Sequence, residues 1–287
     1  MSEFNTVFLN GQWLPADQAQ ISVFDRGFLF GDGIYEVLPV YGHHLLRLDE
    51  HLSRLSNSLE EVGIRNPYSD NEWRELFCNL LLQNNAENCA IYLQVTRGSS
   101  GGRDHSIPTN IEPTVFACVN PLPILPEAVK ENGVSAITRE DIRWHRCHIK
   151  AITLLANVLL KEEGTAEGCN ETLLVRDGKI SEGASSNVFA VINGTLVTPP
   201  KGPELLPGIT RDLVLELAEK QQGLSVEQRI LSADELNNAS EILITSSTRE
   251  LYPVTNLDGQ AVGSGKPGPV WQQLFAAYQA YKAQFQL

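Results

Sequence analysis

One lysine of eight stands in a setting suited to covalent chemistry. Lys150 is flanked by Ile149, Ala151 and Ile152, in a segment that opens with Ile142-Arg143-Trp144. The other seven lie among polar helix-type residues or beside turn glycines. An amine among apolar neighbours loses hydration, which disfavours its charged form. A neutral amine is what Schiff-base chemistry with a carbonyl group requires. Arg143 and Arg146 add nearby positive charge that would act in the same direction. The same pattern also describes a lysine snorkelling from a half-buried strand, so companion residues must decide.

A lysine used in this way carries an aldehyde cofactor. Such a cofactor asks for an acid at its ring nitrogen, donors for a phosphate and a device that orients the substrate. Glu182 is the candidate acid, in Ser181-Glu182-Gly183-Ala184-Ser185-Ser186-Asn187, where small neighbours would let a ring approach the backbone. A solvated loop carboxylate is the other reading of that residue. For the phosphate, Leu206-Pro207-Gly208-Ile209-Thr210-Arg211-Asp212 opens a helix, whose first amides and dipole favour an anion. A plain Pro-Gly helix start reads the same way. Ser246 and Ser247 follow an apolar strand and offer hydroxyls. Arg54 lies off the leucine stripe of its helix, where periodicity alone describes a solvated arginine. In the loop of residues 98–105, Arg103 and His105 alternate, so a locally extended chain projects both to one side. The arginine fork matches a carboxylate, and a mobile surface loop is the alternative.

Alternating strands and helices must position these groups. Thr6 to Leu9 and Gln12 to Leu14 form a hairpin about Asn10-Gly11. Ile34 to Tyr41 is a strand that turns at Gly42. Asp49 is expected to cap a helix whose apolar positions Leu52, Leu55, Leu59 and Val62 recur at helical spacing. A second helix is expected over 69–83, with strands over 89–97 and 114–119. Three prolines between Asn120 and Pro126 mark a linker. Beyond it come a strand over 135–138, a helix from about Ala151 to Glu163, strands over 171–175 and 188–192, a helix over 210–221, a strand over 241–245 and a last helix near 269–281. Asp177-Gly178 and Asn193-Gly194 are hairpin turns. The fold class is α/β (α+β) with two lobes: residues 1–120, a linker over 121–131, and a cofactor-binding lobe over 132–287.

Bulk properties narrow the function classes. The 287 residues, 42% hydrophobic, suffice for two cores. A net charge of −13 without basic runs disfavours nucleic-acid binding. Five widely spaced cysteines without a CxxC fit neither a disulfide framework nor a zinc knuckle; they suit free thiols in a reducing cytoplasm. The start MSEFNTVFLNG does not read as a signal peptide, and no apolar run approaches the ~18 residues of a membrane span.

Taken together and in order, these pieces resemble the class IV (branched-chain and D-amino-acid) aminotransferases, the fold type IV pyridoxal-phosphate enzymes. The resemblance rests on Asp25-Arg26-Gly27, Gly31-Asp32-Gly33-Ile34-Tyr35-Glu36, Glu50-His51 with Arg54, Ile142-Arg143-Trp144 with Lys150, Glu182-Gly183 with Ser185-Ser186-Asn187, and Gly208-Ile209-Thr210-Arg211-Asp212. It implies that Lys150 carries pyridoxal 5'-phosphate as a Schiff base and shuttles the proton. It implies that Glu182 pairs with the ring nitrogen and Leu206 packs on the ring. Arg54, Ile209, Thr210, Ser246 and Ser247 would hold the phosphate. The family's homodimer and its cofactor cleft between two lobes are implied as well. The Arg-x-His pattern of Arg103 and His105 resembles the D-amino-acid enzymes in particular, which implies that the loop reaches across the dimer and, with Tyr35, traps an α-carboxylate. Branched-chain L-amino-acid aminotransferases, (R)-selective amine transaminases and aminodeoxychorismate lyases share the lysine and the acid and differ in these loops.

Overall fold

Asn10 and Gly11, both at positive φ, turn β1 (Thr6–Leu9) into β2 (Gln12–Pro15), as a two-residue hairpin requires. The computed structural model describes residues 5–285, which divide into two units. The first holds residues 5–122, 149–154 and 285; the second holds 123–148 and 155–284.

In the first unit, β1 and β2 are followed by α1 (Arg26–Phe30), β3 (Gly33–Tyr41), β4 (His44–Leu45), α2 (Leu48–Val62), α3 (Asp70–Asn84), β5 (Cys89–Thr96) and β6 (Thr114–Pro121). The six strands form one antiparallel sheet in the order β2-β1-β6-β5-β3-β4. The leucine stripe of α2 (Leu52, Leu55, Leu59) and Trp73, Phe77 and Leu80 of α3 share a core with Ile34, Leu38, Ile91 and Leu93. Ser69 caps α3 in a reciprocal box with Glu72. Asp49 is not the cap of α2. The helix begins at Leu48 after Arg47 in the left-handed region, and Asp49 sits in the first turn, paired with Arg74 at 2.7 Å.

The second unit runs through α4 (Glu127–Asn132), β7 (Val134–Glu140), α5 (Leu155–Ala166), β8 (Glu171–Arg176), β9 (Lys179–Gly183), β10 (Asn187–Ile192), β11 (Thr195–Thr198) and α6 (Ile209–Glu219). It continues with β12 (Ser225–Gln228), α7 (Ala233–Asn237), β13 (Glu241–Ser246), β14 (Glu250–Leu257), β15 (Gln260–Ala261) and α8 (Pro269–Ala283). Its mixed sheet has the order β12-β11-β10-β13-β14-β7-β8-β9, with β15 paired to β14. Strand β10 is apolar on both faces because both are covered. Val188 and Ala190 enter one core, while Phe189 and Val191 enter another with Leu213, Val214 and Leu217 of α6 and Trp271 and Leu274 of α8.

Two features depart from the division read in the sequence. A short helix, α4, starts directly after the proline-rich stretch and takes up the second half of the expected linker. Residues 149–154, placed by the sequence in the C-terminal lobe, belong to the first unit. The expected helix from Ala151 starts only at Leu155, because the preceding segment pairs with β3. The Tyr35 amide donates to the Lys150 carbonyl at 2.9 Å, the Ile152 amide donates to the Gly33 carbonyl at 3.1 Å, and Ala151 bridges Ile34. Among the described residues, no helix is long and apolar enough to cross a membrane.

Candidate active site

Pairing with β3 explains how Lys150 is held. The backbone at 149–152 is tied down, Ile149 and Ala151 are buried in the core, and Lys150 between them turns to the opposite side. Its amine lies over the Tyr35 ring, 4.2 Å from the centroid. Tyr35 is steadied by Tyr92 of the neighbouring strand, with ring centroids 5.9 Å apart. The backbone amide of Lys150 donates to Ser58 Oγ of α2 at 3.3 Å.

Behind β3, Glu36 occupies the inward face between Ile34 and Leu38, at 1% exposure. Arg54 of α2 grips it with a fork, Nε to Oε1 and Nη2 to Oε2, both at 2.8 Å. His51, one helical turn earlier, meets Oε2 at 2.8 Å through Nδ1. A carboxylate only accepts, so Nδ1 carries the proton. Burial pushes the Glu36 carboxyl up, but Arg54 and His51 outweigh it and hold the group well below the usual carboxylate range. Burial dominates at His51 and lowers its pKa, although Glu36 favours the charged ring. Arg54 is therefore a buried, aimed guanidinium. The sequence reading missed Glu36 as its counter-ion. The signal was present: a carboxylate at a core position of an alternating strand needs a cation.

Arg103 and His105 come together on one ring. The Arg103 guanidinium lies 5.2 Å from the centroid of Phe30, and the His105 ring lies 5.2 Å from it. Both are exposed.

In the second unit, Glu182 ends β9 and is buried. Arg143 Nη1 donates to Oε1 at 2.5 Å. The Leu206 amide and Asn187 Nδ2 donate to Oε2 at 3.0 and 3.1 Å. Arg143 is itself locked by Asp141, which accepts from Nε and Nη2 at 2.9 Å each. The arginine expected to act on the lysine is thus committed to two carboxylates. Burial pushes the Glu182 carboxyl up to about 6 despite Arg143 and the Leu206 amide. The sequence singles out Glu182 as a candidate but not Asp141, which adjoins Ile142-Arg143-Trp144.

Asn187 also donates to the Leu206 carbonyl at 2.9 Å, and its backbone pairs with Thr245 across β10 and β13. One asparagine thereby links the acid, Leu206 and the strand that leads to Ser246 and Ser247. Gly208 then starts α6 without any side-chain cap, leaving the first amides of Ile209 and Thr210 to another acceptor. A Cβ at Gly208 would lie 2.0 Å from Asn187 Oδ1, so only glycine fits against that side chain. Nearby on β13, Thr245 Oγ1 is buried with no hydrogen-bond partner among the described residues.

Known proteins resemble this chain over most of its length. Residues 33–257 match the model of the amino-transferase class IV family. The D-alanine aminotransferase of Bacillus licheniformis is 41% identical over 273 residues, covering 95% of both chains. That of Staphylococcus aureus strain COL is 39% identical over 276 residues, covering 96% of this chain and 97% of the relative. Among solved structures, the branched-chain amino acid aminotransferase of Escherichia coli superposes with a TM-score of 0.89 at 27% identity, covering 96% and 94%. The branched-chain enzyme of T.th., complexed with N-(5'-phosphopyridoxyl)-L-glutamate, gives 0.88 at 25% identity, covering 99% and 96%. The chain belongs to the class IV aminotransferases.

Proposed function

We propose that this aminotransferase uses pyridoxal 5'-phosphate on Lys150 to move an amino group from a D-amino acid of the D-alanine type to a 2-oxo acid such as 2-oxoglutarate. The observation that carries the cofactor reading is the buried Glu182, held by Arg143, Asn187 and the Leu206 amide. The D-amino-acid reading draws on the 39–41% identity to D-alanine aminotransferases, against 25–27% for the branched-chain structures named above.

The side chains fit the cofactor. Uncapped amides open α6 at Ile209 and Thr210, and Thr245 Oγ1 has no hydrogen-bond partner among the described residues. Ser246 and Ser247 extend the same strand end, and Arg54 is a buried cation aimed by Glu36. These residues would hold the phosphate. Glu182 would pair with the ring nitrogen, and Leu206 would pack on the ring. When bound, the group supplies an electron sink conjugated to the substrate Cα. Glu182 would keep the ring nitrogen protonated. Lys150 Nζ would take the substrate α-proton and later return it, steadied by the Tyr35 ring. Arg103 and His105, with Tyr35, would bind the α-carboxylate. The amino acid leaves as a 2-oxo acid before the second 2-oxo acid binds, so the kinetics are ping-pong.

The chain acts as a homodimer in this reading. Apolar Ile21, Val23, Phe24 and Phe28 are 44–70% exposed within one short stretch of the first unit, as a surface covered by a second copy would be. The free thiols suit a reducing cytoplasm.

The deciding assay incubates the purified protein with 2-oxoglutarate and either D-alanine or a branched L-amino acid. Turnover with D-alanine alone is expected. Turnover with the L-amino acid alone would replace the D-specific reading by the branched-chain one. A coloured protein inactive with both would point to the amine-transaminase or lyase chemistry of the same fold.

A further inference from the structure

The dipeptide Asp25-Arg26 grips the loop that carries Arg103 and His105 at both its base and its tip. At the base, Asp25 Oδ1 accepts from Thr96 Oγ1 at 2.8 Å and Oδ2 accepts from Thr114 Oγ1 at 2.7 Å. Those threonines end β5 and begin β6, so one buried carboxylate closes the two feet of the loop. The Arg26 amide donates to the Gly98 carbonyl at 2.8 Å, and Asp25 bridges Ser99. At the tip, Arg26 Nη1 donates to the carbonyls of Asp104 at 2.6 Å and Ser106 at 3.3 Å, and Nη2 donates to that of His105 at 3.4 Å. Asp32 fixes Arg26 from behind, Nε to Oδ2 at 2.8 Å. The Arg26 guanidinium also lies 4.8 Å from the centroid of Phe30, the ring that Arg103 and His105 share.

Three consecutive carbonyls on one buried guanidinium fix the backbone of residues 104–106, and the side chain of His105 follows from it. Loop tips are otherwise among the most mobile parts of a chain. A carboxylate trap made of exposed side chains loses affinity to the entropy of ordering them unless the backbone is held beforehand. We infer that Arg26, with Asp25 and Phe30, is a positioning residue for substrate-carboxylate recognition, acting through Arg103 and His105. This rests on the reading of those two residues as the carboxylate trap, and the experiment separates the two claims.

Arg26→Gln, Arg26→Lys, Phe30→Leu and Arg103→Ala are compared as holoenzymes. The readouts are kcat and KM for D-alanine and 2-oxoglutarate, and the rate at which trypsin cuts after Arg103. Arg26→Gln is expected to raise both KM values about tenfold with kcat within about threefold, and to speed the cut after Arg103. Arg26→Lys, which restores charge but not the fork, is expected to recover part of the loss. Arg103→Ala raising KM while Arg26→Gln leaves KM and cleavage unchanged would overturn the positioning role and keep the trap. Unchanged KM in Arg103→Ala would remove the trap and this inference with it. If Arg26→Gln does not fold, Phe30→Leu decides: it leaves the Asp32 ion pair intact and must still raise KM, and an unchanged KM would overturn the inference.

Discussion

Arg143 and Glu182 form an ion pair of 2.5 Å in which both side chains are only 6% exposed. The carboxyl nevertheless sits at about 6, because burial outweighs the arginine and the Leu206 amide. A group whose folded value lies above its usual 4.5 binds its proton more tightly in the folded chain. The folded state therefore loses stability as pH rises from about 4.5 to 6, by about 2 kcal/mol in all, and the loss is complete above that window. Comparing the cofactor-free chain with Glu182→Gln by urea unfolding isolates this contribution. The difference between the two should drift by that amount across the window. A pH-independent difference would show that Glu182 stays ionised throughout. Cofactor binding should remove the drift, since a protonated ring nitrogen favours the carboxylate.

Lys150→Ala should abolish the lysine-dependent visible absorbance of the holoenzyme and lower turnover at least about a thousandfold. The fold should survive. Ile149 and Ala151 make the apolar contacts of this segment, and the pairing with β3 uses backbone atoms. Spectroscopy, single-turnover kinetics and a thermal melt on one sample check all three. Wild-type turnover with an intact melt would dismiss Lys150 from the chemistry.

The contrast between Lys150 and Arg54 shows what a sequence can and cannot carry here. Lys150 stands out in the sequence because its neighbours Ile149, Ala151 and Ile152 are apolar, a feature that a local window contains. The hairpin at Asn10-Gly11 and the leucine stripe of α2 are local in the same sense. Arg54 looked solvated because its partner, Glu36, lies on a strand 18 positions away, and only the packing of α2 on β3 joins them. The helix expected at Ala151 failed for a related reason: residues 149–152 trade helical bonds for backbone pairing with Gly33 and Tyr35, which no window of local sequence contains. Asp141 was missed although it lies two residues from Arg143, because the bidentate grip depends on how the chain turns after β7.

Gly208→Ala should weaken cofactor binding without touching any group that contacts it covalently. The added methyl would lie 2.0 Å from Asn187 Oδ1 and 3.1 Å from its Cγ, and the φ of −70° at Gly208 itself is ordinary, so the effect is steric. Asn187 must move, and it holds both Glu182 and the Leu206 carbonyl. An overpacked site of this kind costs about 1–3 kcal/mol, which corresponds to a roughly five- to 150-fold rise in the dissociation constant for pyridoxal phosphate. Equilibrium dialysis measures it. Unchanged affinity would mean that Asn187 is free to repack without consequence.

Glu36→Gln should destabilise the chain by about 3–5 kcal/mol, because it strips the carboxylate partner from a buried guanidinium. In the wild type the Glu36 carboxyl lies well below the usual carboxylate range, held there by Arg54 and His51 against the effect of burial. A group lowered in this way contributes its stability above the unfolded value of 4.5 and gives it up as pH falls further. The gap between wild type and Glu36→Gln should therefore be full at pH 7 and narrow progressively below about 4.5. Denaturant titrations at pH 7, 4.5 and 3.5 test the sign directly. A gap that widens on acidification would show that the triad of Glu36, His51 and Arg54 is not held together by the ionised carboxylate. If Arg54 also serves the phosphate, the same variant should bind pyridoxal phosphate more weakly at pH 7, because the guanidinium loses the fork that aims it. Wild-type affinity in a destabilised Glu36→Gln chain would confine the triad to holding α2 on β3.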